Sequence, residues 1–178
     1  RAACLRYLFF RVEELIDGTP ITITLDEGWK GLEDEFVSQK VFDWEKTIRK
    51  RNGCFIFGSQ SARDLSETRI GTTIIEQSPT QIFYPNPNAD YDSYCKSFSL
   101  SDKEFDLIKN KIDPSSRSFL IKHGTSSIVA TLNLKGMDDA LSILSGREET
   151  VRLLDDIRNE IGDDPKDWIP VFYSRRRK

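Results

Sequence analysis

The sequence predicts an α/β fold: a mainly parallel sheet flanked by helices, with a β-hairpin toward the C-terminus. Three observations carry that expectation. Two short, nearly all-apolar runs, Ile21-Thr22-Ile23-Thr24-Leu25 and Cys54-Phe55-Ile56-Phe57, flank a stretch of helical periodicity in a unit of roughly thirty residues, the layout of a βαβ crossover with parallel pairing. A further helical stretch leads to a third such run, Gln81 to Tyr84. Last, Ser118 to Lys122 and Ser126 to Asn133 are joined at His123-Gly124-Thr125, a spacing that suits a tight antiparallel hairpin.

The elements follow in order. Leu5, Leu8, Phe9, Val12, Leu15 and Ile16 recur at steps of three and four, so the chain opens with a helix packed on one side. That periodicity is already under way at Arg1, which reads as a fragment of something longer. Asp17-Gly18-Thr19-Pro20 stops the helix, and the first strand then delivers Asp26, Glu27 and Gly28 at its C-terminal end. From about Glu33 to Arg51 the pattern is helical again through Phe36, Val37, Val41, Trp44 and Ile48, until Asn52-Gly53 closes it. The second strand ends in Gly58-Ser59-Gln60-Ser61. A short helix is expected over Ile70 to Gln77, and Pro85-Asn86-Pro87 halts the third strand, since both prolines lock φ and lack a donor. Helices follow at Ala89 to Phe98 and at Ser101 to Ile112, the latter opened by Ser101 and Glu104 as a capping box. After the hairpin come helices near Met137 to Leu144 and Glu148 to Ile161, then a tail through Trp168 and Pro170. Residues 1–178 read as a single domain.

Composition narrows the function. With 178 residues, 38% of them hydrophobic and 31% charged, the chain carries enough apolar side chains to exclude wholesale disorder. Twenty-six basic against 29 acidic residues give a formal charge of −3, which argues against a grip on nucleic acid through bulk field. Cys4, Cys54 and Cys95 are odd in number and widely spaced, with no paired metal-ligand pattern, so a reducing compartment is expected. No apolar run approaches a membrane span. The single histidine, His123, rules out His-clustered metal sites and leaves little room for Ser-His-Asp chemistry.

The candidate chemistry lies at the strand ends. A carboxylate at the C-terminal end of a buried strand can hold Mg²⁺, and the next one can orient or deprotonate an attacking water. Asp26 and Glu27 fit that pattern, and equally fit a solvated strand end or a helix N-cap. Gln60, at the end of the next parallel strand, would face the same crevice and could bond the water or a γ-phosphate; alternatively it caps its loop through Ser59 or Ser61. Arg49-Lys50-Arg51 complements a helix C-terminus, or lets Arg49 reach a neighbouring subunit's nucleotide. Lys122 and His123 read as a solvated turn, and Arg175 to Lys178 as a disordered basic end. None of the ten glycines is followed by lysine, so this stretch cannot itself supply a phosphate-cradling P-loop.

Several segments, in order, resemble one family. They are Ile21 to Lys30, Ile48 to Gly53, Phe55 to Gln60, Ile75 to Phe83 and Tyr84 to Pro87, with further likeness at Phe119 to Gly124, Leu144 to Arg147 and Gly162 to Trp168. Together they resemble the C-terminal motor half of the type IV secretion and conjugation ATPases, the CagE/TrbE/VirB family. The resemblance implies the distal part of a RecA-like P-loop ATPase domain, using ATP and Mg²⁺ and working as an oligomer, commonly a hexamer. It also implies a place at the cytoplasmic face of the bacterial inner membrane. There such ATPases drive pilus assembly and transfer of protein or DNA with other secretion-channel components. By position, Asp26 would be the Walker B magnesium carboxylate, Glu27 the catalytic glutamate, Gln60 the strand-end sensor and Arg49 the arginine supplied in trans. The family's Walker A loop is missing here, as is its N-terminal domain, so the fragment is expected to be inactive alone. Two other readings stay open: a DNA-translocating coupling-type motor, and a non-catalytic subunit-docking domain.

Overall fold

The computed structural model describes residues 2–176 and divides after Thr131 into two compact units. Arg177 and Lys178, the last residues of the expected basic end, and Arg1 lie outside the described residues.

The first unit opens with helix α1 (Ala2–Leu15) and strand β1 (Ile21–Leu25). Helix α2 (Glu35–Thr47) follows, extended by a 3₁₀ turn over Ile48–Arg51, and then strand β2 (Gly53–Phe57). The reasons are local. Asp34 caps α2 by accepting from the backbone N–H groups of Phe36 and Val37, and Asn52 adopts the left-handed conformation that ends it. Strands β1 and β2 pair in parallel, Ile21 opposite Gly53 through Leu25 opposite Phe57, as the crossover predicts. Phe9 of α1, Ile16 just after it, Val37, Val41 and Trp44 of α2, and Ile48 form the core beneath that pair. Leu8 and Leu15, expected in the same stripe, are exposed.

Next come helix α3 (Ala62–Ser66), helix α4 (Gly71–Gln77) and strand β3 (Thr80–Phe83). Here the sequence expectation fails in one respect. β3 does not extend the parallel sheet; it pairs antiparallel with β4 (Ser118–His123), which pairs antiparallel with β5 (Ser126–Thr131). The described residues therefore hold a two-stranded parallel sheet and a separate three-stranded antiparallel one, not a mainly parallel sheet. A short apolar run reveals a strand but not its partner. The β4–β5 hairpin, closed by Gly124 at φ +58°, presents a ready edge to β3.

Between β3 and β4, Asn86 ties the Pro85-Asn86-Pro87 exit to the fold: its N–H donates to the Ile108 carbonyl and its side-chain amide to the Tyr94 hydroxyl. A π-helical turn covers Asp92–Ser97 where an ordinary helix was expected. Helix α5 (Asp102–Asp106) starts at the predicted Ser101–Glu104 capping box and continues as a π turn over Leu107–Lys111. Phe83, Tyr94, Ile108 and Leu120 form the second core. Lys122 is not solvated as expected. Its ammonium donates to the Ser99 carbonyl at 2.6 Å and pairs with Glu104 at 3.4 Å, with both side chains nearly buried. His123 does lie at the surface, against the Thr80 hydroxyl.

The second unit is helical: α6 (Asp138–Leu144), α7 (Glu148–Ile161) and α8 (Pro165–Arg176). α8 corrects the expected irregular tail. Pro165 starts it at the position where a missing N–H costs nothing, and Asp164 accepts from Lys166 N, so Pro170 sits inside a helix already begun. Arg175, expected in a disordered end, makes two hydrogen bonds to Glu160, and Arg176 donates to the Asp138 carbonyl.

One titration follows from the packing of α2. Burial pushes the Glu45 carboxyl up to about 7 from its ordinary 4.5. A carboxyl whose folded value is raised favours the fold fully below the unfolded value, and that contribution is lost as pH climbs from 4.5 to about 7. Glu45→Gln is therefore expected to stabilise the chain at pH 8 relative to wild type and to gain little at pH 4. Urea unfolding at both pH values measures this; an equal shift at both would assign the effect to something other than ionisation.

Candidate functional site

The site is built where β1 and β2 run out together. Leu25 and Phe57 are the last paired residues, and the ladder carries on into the loops: Gly58 N–H donates to the Leu25 carbonyl at 2.9 Å, and Gly28 N–H to the Gly58 carbonyl at 3.0 Å. These two bonds fix both loops beside one another. Asp26 emerges exposed, one carboxylate oxygen accepting from Glu27 N–H at 2.9 Å. Glu27 lies at φ +48°, in the left-handed region that non-glycine residues seldom occupy. That turn swings its carboxylate toward the neighbouring loop rather than onward along β1.

There it meets Gln60. The Gln60 amide donates to Glu27 Oε1 at 2.6 Å, while the Lys30 ammonium pairs with Glu27 Oε2. Ser59 and Ser61 shape the Gln60 loop themselves. The Ser59 hydroxyl donates to the Ser61 carbonyl, and the Ser61 hydroxyl caps α3 by accepting from Asp64 N–H. Gln60 is thus not needed as a loop cap. Asp26, Glu27 and Gln60 stand at one rim.

Arg49 is not brought to that rim. It lies in the 3₁₀ turn preceding β2, at the opposite end of the strand, roughly 17 Å away along a five-residue strand. Among the described residues its side chain has no hydrogen-bond or ion-pair partner, whereas Arg51, two residues on, is held by Glu13 and the Ile16 carbonyl. The two arginines of one basic run therefore differ: Arg51 ties α1 to α2, and Arg49 faces solvent.

Lys30 was not singled out from the sequence. Its signal was the three-residue spacing from Glu27 across a turn, the separation at which side chains on a helical face meet. Gly58 was also missed. A Cβ there would lie 2.9 Å from Asp26 Oδ1, so only glycine leaves the space beside that carboxylate clear.

Chemically, the rim offers a hard oxygen donor with open space beside it, and a second carboxylate already oriented by an amide and an ammonium. Such oxygen donors suit Mg²⁺, which keeps several waters and binds through one or two carboxylates plus phosphate oxygens. Among the described residues there is no cluster of three or more His, Cys, Asp or Glu able to enclose a metal, so any cation here would rely on a ligand's own oxygens. No described helix is long and apolar enough to cross a membrane. Cys4, Cys54 and Cys95 are free thiols.

Comparison with known proteins gives a consistent picture. No protein-family model matches the chain. It is 47% identical over 176 residues to the type IV secretion system protein virB4 of Bartonella quintana, covering 99% of this chain and 22% of that protein. It is 40% identical over 171 residues to virB4 of Brucella suis, covering 96% of this chain and 20% of the relative. To the type IV secretion system protein PtlC of Bordetella pertussis it is 36% identical over 173 residues, covering 97% of this chain and 21% of the relative. The chain thus spans about a fifth of the length of the curated relatives it matches. Among solved structures, VirB4 of Thermoanaerobacter pseudethanolicus superposes with a TM-score of 0.58 over 74% of this chain and 38% of that one. At 22% identity that likeness concerns the fold alone.

Proposed function

Since this chain belongs to the VirB4 family of type IV secretion system proteins, we propose that it is the distal portion of an ATP-driven motor domain. In the full-length protein that domain couples ATP hydrolysis to pilus assembly and substrate transfer. The observation that carries the proposal is the meeting of Asp26, Glu27 and Gln60 at the common end of two parallel strands.

Each residue has a role consistent with its surroundings. Asp26, beside the space left by Gly58, would hold Mg²⁺, whose chemistry when bound is to neutralise charge on the transferring phosphate. Glu27 would accept a hydrogen bond from the attacking water and take its proton, with Gln60 and Lys30 fixing the carboxylate's direction. Gln60 can exchange its bond to Glu27 for one to a γ-phosphate oxygen, which would let the β2 loop report whether nucleotide is intact. The P-loop and its lysine would come from polypeptide outside this sequence.

Arg49 would serve a neighbouring subunit; its exposure and its position at the far end of its own strand support that reading. That role requires a self-assembled oligomer, working with other secretion-channel components at the cytoplasmic face of the inner membrane. It is tested by mixing full-length Arg49→Ala subunits with full-length Glu27→Gln subunits. Each preparation alone is expected to be nearly inactive. Mixtures are expected to regain ATPase activity, because some interfaces then pair an intact Arg49 with an intact Glu27. Absence of recovery at every mixing ratio, with mixed oligomers verified by mass, would place Arg49 outside the site.

A further inference from the structure

Two donors converge on one carboxylate at the strand-end rim. The Gln60 amide reaches Glu27 Oε1 at 2.6 Å, and the Lys30 ammonium reaches Oε2. An amide and an ammonium aimed at one multi-oxygen anion form an anion cradle, filled here by a side chain of the same chain. Two features make that filling exchangeable. Glu27 holds φ +48°, a conformation that a non-glycine residue keeps only where its surroundings fix it. The Glu27 and Lys30 side chains are 38% and 60% exposed, and ion pairs so open to water contribute little. The base of Lys30, by contrast, is fixed. Its N–H donates to the Glu27 carbonyl, Gly28 N–H donates to the Gly58 carbonyl, and a Cβ on Gly28 would lie 2.3 Å from the Phe57 ring. The lysine backbone therefore stays beside the end of β2, while its long, flexible side chain can turn from one anion to another.

On the ATPase reading, on which this rests, we infer that Lys30 is a contact for the terminal phosphate of a nucleoside triphosphate, and that Glu27 fills the cradle while that phosphate is absent. The charges call for an exchange rather than an addition. A phosphate entering the rim meets Asp26 and Glu27, both acceptor-only carboxylates, and of the four residues gathered there Lys30 is the cation. A phosphoryl group brings three acceptor oxygens and more charge than one carboxylate, so it draws both donors to itself. Exchange also clears Glu27. A carboxylate oxygen engaged by an ammonium is poorly placed to accept a proton from water, and release of Lys30 turns it to the attacking water. The rim thus arms its base when a third phosphate is present. A diphosphate leaves Lys30 on Glu27.

The test measures binding of ADP and of the β,γ-imido analogue of ATP to the full-length protein by calorimetry. Lys30→Met is expected to weaken the triphosphate analogue at least ~10-fold and ADP less than ~2-fold, as loss of one charge-assisted hydrogen bond implies. Retained ADP affinity also reports a folded variant, and Lys30→Gln repeats the measurement should Lys30→Met misfold. Lys30→Arg is expected to keep most of the preference for triphosphate. The same selective loss is expected for Lys30→Met in a Glu27→Gln background, because the lysine acts on the phosphate and not through Glu27. An unchanged ratio of the two affinities in Lys30→Met, beside normal wild-type ATP turnover, would overturn the inference and leave the motor reading standing. Disappearance of the selective loss once residue 27 is glutamine would reduce Lys30 to a support for the carboxylate and overturn it too. Wild-type protein that binds neither nucleotide would overturn both.

Discussion

Full-length protein carrying Glu27→Gln is expected to bind Mg²⁺-ATP with near-normal affinity and to lose most turnover, about 10²–10³-fold in kcat. The substitution keeps the side chain's size and replaces one carboxylate oxygen by an amide nitrogen. In the native arrangement both oxygens accept, one from the Gln60 amide and one from the Lys30 ammonium. A glutamine at 27 can satisfy only one of those donors through its single oxygen, and it has no basicity with which to take a proton from water. Binding is expected to survive because the phosphate-holding groups lie elsewhere, and Asp26 keeps its own tie to the backbone of residue 27. Steady-state ATPase rates beside nucleotide affinity, with thermal melting as the folding control, measure this. Normal turnover in a folded variant would remove Glu27 from the mechanism. Equal losses in affinity and turnover would make it a binding residue instead.

Much of this site was legible because its determinants are local. The strand Ile21–Leu25 was predicted to its ends, since β-branched residues bounded by turn signals mark a strand without reference to anything distant. Parallel pairing of β1 with β2 followed from the length of the crossover alone. The Ser101–Glu104 box was equally local, and both of its reciprocal bonds are present. What escaped prediction was non-local or too short to show a period. β3 has the composition of a strand, but its choice of β4 over β2 depends on an element some forty residues away. Helix α3 spans five residues, less than two turns, so no periodicity announces it. Pro170 made α8 read as a tail, although a proline tolerates a helix that its neighbours have already nucleated. Lys122 looked like turn chemistry; its burial follows from Glu104 and the Ser99 carbonyl, which arrive from another segment. At the site, the sequence supplied Asp26, Glu27 and Gln60 but not Lys30 or Gly58. Those two matter through the conformation of Glu27 and the space beside Asp26, neither of which residue type alone conveys.

The rim can be only as rigid as the layer that carries β1 and β2, and Trp44 is the side chain on which that layer most depends. It is 2% exposed, stacks on Phe9 of α1 with ring centroids 5.0 Å apart, and meets the edge of Phe55 of β2. Its indole N–H donates to Glu13, whose other carboxylate oxygen accepts from Arg51 at 2.6 Å. One residue of α2 therefore fastens α1 on one side and, on the other, strand β2, which leads into the Gln60 loop. Trp44→Ala is expected to cost about 3–5 kcal/mol, combining lost transfer energy with the cavity left behind. Trp44→Phe keeps most of the volume but strands an acceptor, and is expected to cost about 1–2 kcal/mol. Chemical denaturation measures both, and equal costs would mean that the hydrogen bond, not the packing, is what matters here. The pH dependence separates the two contributions further. Burial pushes Glu13 up, but hydrogen bonds from Arg51 and Trp44 and the nearby Lys40 outweigh it and hold the carboxyl below the usual range. A carboxyl lowered in the fold contributes stability above its unfolded value of 4.5, and that stability is lost as pH falls through the folded value. Trp44→Phe, lacking one of those donors, should lose less stability on acidification than wild type. An unchanged acid dependence would leave Arg51 and Lys40 as the groups that set Glu13, and would reduce Trp44 to its role as the stacked ring between α1 and β2.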